Sequence, residues 1–216
     1  MNFADAYSWT IIRFLLDGLL ITIEVAVLSI LFSFVIGALL GLIRYMKIPF
    51  ISKIVGGLID VVRNLPLLLI IFFTYFALPQ IGIQFSIFWS AVAAMTIFES
   101  AMLSEIIRGG LNSIPKGQME AGRSTGFSYF QTLWYIIIPQ ALRAMLPPII
   151  SQFVSLVKDT SLATVITLPE LTHNAQIVYG QHTTYLIPMF LMLGLMYWVV
   201  CFTLSKLSKR LETTYS

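Results

Sequence analysis

Charge is what this chain has least of. Only 11% of its 216 residues are Asp, Glu, Lys or Arg, against about 25% in a typical soluble domain. Hydrophobic residues make up 58%, and the mean hydropathy is +0.88. So little polar surface excludes a soluble globular enzyme and a disordered tail. Cysteine is nearly absent as well. Cys201 stands alone in an apolar run, which excludes a disulfide scaffold and leaves the redox compartment unread. There is no H-E-x-x-H or G-x-S-x-G, so a membrane-embedded enzyme has little support. His173 and His182 have no other ligand candidates beside them, and no metal site is expected. No sequence repeat or low-complexity tract is present, and the lack of inverted repeats counts against a secondary transporter. Nothing in the composition calls for a nucleic-acid partner. What remains is a single-domain integral membrane protein.

A membrane-crossing helix needs about 20 mostly apolar residues. Val25–Ile43 carries no charge, and the run extends back to Gly18 if Glu24 is tolerated. It is too long for a signal-peptide core. Asn64–Phe98 is also uncharged, but Pro79 and Gly82 punctuate it. The expectation is an all-α protein with five spans, at about 18–42, 57–78, 86–107, 144–168 and 185–205. Residues 7–17 fit either an interfacial helix or the first turns of span one. Gly37 and Gly41 form a G-x-x-x-G pair suited to close helix packing. Ten of the thirteen basic residues fall in three segments: 44–53, 108–143 and the tail from Lys206. The turn 79–85 and the loop 169–184 hold none. By the positive-inside rule the N-terminus lies outside and the C-terminus in the cytoplasm.

The segment Arg108–Arg143 is the longest cytoplasmic connection, and it reads as ordered. Ser113 followed by Pro115 marks a helix start, and Gly126 is placed to end the helix. Ser128 is positioned to cap a second, aromatic-rich helix running to Pro139. A short helix with small residues on one face, held near the membrane, suits insertion into a partner's groove. A re-entry hairpin without a partner is the competing account.

Glu120-Ala121-Gly122, then Gly126, then Ile136-Ile137-Ile138-Pro139 resembles the E-A-A, three residues, G, nine residues, I-x-L-P signature of ABC-importer permeases. Gly122 stands where Ala is usual, and Ile138 where Leu is usual. Ile107-Arg108-Gly109-Gly110 through Gln118 is similar to the polar amino acid branch of that family. So are Arg63–Leu68, Lys158–Leu162 and Glu170-Leu171-Thr172. The resemblance spans roughly residues 18–205. It implies a type I ABC importer permease in a bacterial cell membrane, and a transport subunit rather than an enzyme. It implies two ABC ATPase subunits that hold ATP and Mg, a second permease subunit (homodimer or heterodimer), and an extracytoplasmic binding protein delivering an amino acid. A coupling helix at about 113–126 would dock the ATPase, with Glu120, Ala121, Gly122, Gly126 and Pro139 as its elements. This chain has no G-x-x-x-x-G-K-[ST] loop and so borrows its ATPase.

Polar groups inside the bilayer are costly and mark pathways by default. Gln152, Ser155 and Asp159 form one stripe on span four, and Thr96, Glu99 and Ser100 share a face on span three. Together they outline a polar passage. Asp159 or Glu99 suits a substrate ammonium, while Lys158, Thr160 and Ser161 suit its carboxylate. In related permeases the span-four stripe and the K-D-T-S-L segment line the path. Lys158 paired with Glu99 or Asp159 as a structural bridge is the plainer account, and Asp60 with Arg63 reads as a local ion pair. Glu24 either snorkels to the interface or contacts the binding protein. Gln152 leans towards a glutamine-like substrate, with a cationic one also favoured. The alternative function is a secondary transporter or channel subunit using Glu99, Asp159 and Lys158 as an ion relay.

Overall fold

The computed structural model describes residues 3–215, and the side chains of Ala4 and residues 207–215 lie outside the description. The Lys209 and Arg210 side chains, counted above in the basic tail, therefore fall outside it. Ten α-helices and no strand are found among the described residues. They are α1 (Phe3–Ala6), α2 (Trp9–Tyr45), α3 (Ile51–Asn64), α4 (Leu67–Phe72), α5 (Ile87–Asn112), α6 (Lys116–Ser124), α7 (Tyr129–Thr132), α8 (Ile138–Asp159), α9 (Leu171–Gln181) and α10 (Leu186–Tyr215). Four continuous helical stretches among the described residues are long and apolar enough to cross a bilayer, and a bent pair makes a fifth candidate.

Helix α2 is the axis of the bundle. Its 37 residues extend about 55 Å at 1.5 Å per residue, well beyond a hydrocarbon core of about 30 Å. Residues 9–17 are its first turns, which resolves the choice between an interfacial helix and a continuous one. A small-residue stripe, Ser29, Ser33, Gly37 and Gly41, is buried against α5. A Cβ on Gly37 would come within 2.8 Å of Leu103 Cβ, and one on Gly41 within 2.8 Å of the Ser104 carbonyl oxygen. Glycine there lets two backbones approach, which is how helices gain dispersion contact where lipid removes the hydrophobic drive.

Three expectations are corrected. Residues 57–78 are not one helix. The chain turns by 103° between α3 and the helical stretch Leu67–Ile81, because Pro66 holds Leu65 extended (ψ 144°) and cannot donate into the helix before it. The second loop helix does not stop at Pro139. It runs on to Ile166 as one stretch, because a wide π turn at Leu133–Ile137 precedes the proline and absorbs its missing N–H. The segment 169–184, read as a loop, is largely helix α9, whose Leu171, Asn174, Ala175 and Val178 are buried against α2 and α10.

Candidate functional site

The loop helix α6 is built to stand out from the bundle. Pro115 sits at its N-cap. Ser113 belongs instead to the end of α5, where its hydroxyl donates to the Gly110 carbonyl at 2.7 Å. At the far end Gly126 takes φ +94°. Its N–H bonds the Arg123 carbonyl and the Phe127 N–H bonds that of Gly122, a Schellman ending that glycine permits at no steric cost. Ser128 and Gln131 then close a capping box that starts α7. Glu120 and Ala121 are exposed, whereas Gly122 is buried in the elbow between α6 and the helix after it. A Cβ on Gly122 would lie 2.5 Å from Thr132 Cγ2 and 2.9 Å from Ile136 Cδ1. The departure from alanine at this position thus has a steric cause. Pro139 is exposed at the first turn of α8.

The intramembrane polar groups divide between two places. Glu99 is fully buried and accepts a hydrogen bond from Gln152 Nε2 at 3.1 Å, joining α5 to α8. Its other oxygen, Oε1, has no hydrogen-bond partner. Asp159 is half-buried and close enough to interact electrostatically with Glu99, and Lys158 does so with Asp159. Thr96 and Ser100 do not share that face. They line an apolar cleft between α2, α3 and α5; on the helix Ser100 stands about 100° and Thr96 about 60° round from Glu99. The common stripe expected on span three is therefore split. Lys158 is exposed and makes no close ion pair with Glu99 or Asp159. Thr160 and Ser161 return their hydroxyl hydrogens to the carbonyls of Val157 and Lys158, each at 2.7 Å. Ser155 is half-buried on α8.

The family model described as "Binding-protein-dependent transport system inner membrane component" matches residues 33–215. This chain belongs to that family of inner-membrane transport components. It is similar to the "Probable glutamine ABC transporter permease protein GlnP" of Bacillus subtilis (strain 168), with 58% identity over 98% of both chains. It is also similar to the "Glutamine transport system permease protein GlnP" of Escherichia coli (strain K12), with 34% identity over 98% of this chain and 97% of that one. Among solved structures, "Crystal structure of an amino acid ABC transporter with histidines" aligns over 99% of both chains with a TM-score of 0.90 and 29% identity. The inward-facing methionine transporter MetNI, at 18% identity and a TM-score of 0.83, shares the fold. As a family member the chain is a multi-pass membrane transport subunit rather than an enzyme. An ion relay through Glu99, Asp159 and Lys158, as in a secondary transporter, finds no support in these likenesses.

Two further clusters of this family member escaped the sequence reading. Glu105 on α5 gathers three arginines. Arg44 at the end of α2 donates to its Oε1, Arg108 lies 2.7 Å from its Oε2, and Arg63 lies 3.8 Å from the same oxygen. Arg63 thus pairs across helices instead of locally with Asp60. The second cluster surrounds Glu170, the fully buried N-cap of α9. Its carboxylate accepts from the Thr172 and His173 N–H groups at 2.9 and 2.7 Å and from the Tyr197 hydroxyl at 3.0 Å. Thr22 on α2 accepts from the Leu171 N–H at 3.2 Å. Glu170 was readable as part of a motif. Thr172 and His173 are its local N-cap partners, whereas Tyr197 lies 27 positions away and no local signal marks it.

Proposed function

We propose that this chain is the translocating subunit of an ATP-driven importer of a polar amino acid, glutamine-like or cationic. Two ATPase subunits, holding ATP and Mg, engage it from the cytoplasm. A second permease subunit, the same or homologous, completes the pathway, and an extracytoplasmic binding protein delivers the substrate. The N-terminus lies outside and the C-terminus inside. Similarity to the glutamine permeases of Bacillus subtilis and Escherichia coli supports the substrate class.

The observation that carries the reading is α6. It presents Glu120 and Ala121 outward on a helix that starts after Pro115 and ends in a Schellman turn at Gly126, with Gly122 tucked into the elbow. Residues 113–126, with Pro139 starting the rod behind them, would receive the ATPase and pass its motion into α8. On that helix Ser151 and Lys158 are exposed and Ser155 half-buried. Polar side chains on a membrane helix avoid lipid, which supports a second permease subunit or an aqueous path along this face. Glu99, Gln152 and Asp159 would meet the substrate, with Lys158, Thr160 and Ser161 along the route.

The test is a mild-detergent purification of the tagged chain from its native membrane, with mass spectrometry and an ATP-hydrolysis assay on the eluate. A co-purifying subunit with a G-x-x-x-x-G-K-[ST] loop is expected. Glu120→Lys should remove it while leaving the chain in the membrane. A chain that emerges alone, even after crosslinking, would overturn the reading.

A further inference from the structure

Three arginines on one glutamate leave an excess of positive charge where α2, α3 and α5 meet. Arg44 and Glu105 are largely covered, with side chains 17% and 15% exposed, but Arg63 and Arg108 are 38% and 36% exposed. Their guanidinium groups are thus oriented by Glu105 on one side and open on the other. Asp60, one turn back on α3, is the nearby opposing carboxylate, while Lys47 and Lys53 add two cations at the other end of α3. The sum over Arg44, Lys47, Lys53, Arg63 and Arg108 against Asp60 and Glu105 is five cations to two anions.

Helix α3 carries that charge beside an uncovered apolar face. Ile51, Ile54, Leu58 and Val61 recur at helical spacing and are 50–65% exposed. Ser52, Lys53, Asp60, Arg63 and Asn64 occupy the other side. A helix with an apolar stripe and basic groups lies in the membrane interface and attracts anionic lipid. Two apolar clefts adjoin it, of about 220 and 610 Å³, and both are lined by Val62 and Ile97. The first opens between α2, α3 and α5, and the second continues along α4 past Phe73. Val62, which lines both clefts, precedes Arg63 in the chain on α3.

We propose that this corner is a binding site for an anionic phospholipid. The headgroup phosphate sits on Arg63 and Arg108, and an acyl chain lies in the clefts past Val62 and Ile97. A guanidinium pair matches phosphate oxygens through its forked donors, and basic pockets between helices on the cytoplasmic side are suited to lipid head groups. The occupant also explains the arrangement of charge. Glu105 alone offsets one arginine of three, and the phosphate supplies a second negative charge without burying another carboxylate.

The experiment uses the full chain, with the subunits that accompany it, in nanodiscs of phosphatidylcholine containing a small fraction of phosphatidylglycerol. A fluorophore on Val62→Cys, in a Cys201→Ala background, reports an acyl chain by quenching from bromine on the phosphatidylglycerol tails. Quenching by brominated phosphatidylglycerol should exceed that by brominated phosphatidylcholine at least fivefold at equal fraction. Arg63→Gln with Arg108→Gln should abolish the difference. Lys in both places should retain part of it, and Lys206→Gln, at the distant end of α10, should retain all of it. Equal quenching by the two lipids in the unaltered arginine background would overturn the proposal. So would a preference that survives the double Gln variant. Loss of the preference on adding millimolar inorganic phosphate would assign the site to a free anion. Absent quenching with Val62→Cys crosslinked to a second copy would assign the groove to protein.

Discussion

Gly122 sits in a space measured by another helix. Alanine would strengthen α6 by about 1 kcal/mol on intrinsic propensity. Its methyl, however, would meet Thr132 Cγ2 at 2.5 Å, and Thr132 is held by its hydroxyl on the Ser128 carbonyl at 3.0 Å. Overpacking of this kind costs about 1–3 kcal/mol. Gly122→Ala should therefore raise amide exchange across 116–137, and Thr132→Ser in the same chain should reverse it. If Gly122→Ala alone protects those amides, the steric account is wrong. Gly126→Ala should cost about 1–2 kcal/mol by forcing a side chain into the left-handed region, read as faster exchange at the end of α6. The E-A-G and G spacing was legible in the sequence because it is local. The reason glycine replaces alanine at 122 was not, since Thr132 lies ten positions away.

Helices were legible where hydrophobic runs were long, and misread where Pro139 was taken as a stop, whereas the chain does turn just past Pro79, at Gly82. Pro139 and Pro79 each follow a π turn, Leu133–Ile137 and Phe73–Ala77. The wide turn, closed by Ile138 N–H on the Leu133 carbonyl and Leu78 N–H on that of Phe73, lets the helical path run on towards a residue that cannot donate. Pro66 has no such turn before it, and there the chain bends. Helix α9 was missed because its signal is not a hydrophobic run but one buried carboxylate, Glu170, capping its first turn. The Glu105 node holds α3 to α5 in the same non-local way. Charged hydrogen bonds are worth about 1.5–3 kcal/mol each, reduced here by partial exposure. Glu105→Ala should thus speed exchange of α3 amides about tenfold or more with the core of α5 unchanged. Equal rates in α3 would show that its apolar contacts alone hold it.

At the scale of the whole molecule, the polar pair Glu99–Gln152 ties the two helices that would flank a pathway, and it leaves one carboxylate oxygen unpaired. An oxygen kept dry without a partner is costly unless something else arrives to bond it. Glu99→Gln preserves shape and removes charge. It should lower amino acid uptake by an order of magnitude or more, on the basis of about 1.5–3 kcal/mol for a charge-assisted bond, with membrane levels unchanged. Uptake at the parent rate would assign Glu99 to structure alone.

The continuous helical stretch Tyr129–Ile166 runs from the capped turn that ends α6 to the Lys158–Asp159 region with no loop along it. At 1.5 Å per residue it is roughly 57 Å long, so a tilt of about 10° around its middle would carry the two ends about 5 Å in opposite directions. Pro147 and Pro148, which leave the Arg143 and Ala144 carbonyls without helical donors, place a natural pivot along it. A shaft of this kind works from either end. On the proposed function, whatever free energy an ATPase at α6 would spend on the grip around Asp159, an amino acid held at Asp159 would return in equal measure to the ATPase's hold on α6. The cargo would then be an effector of its own motor, and a loaded pathway would hold the engine more tightly than an empty one by that same factor.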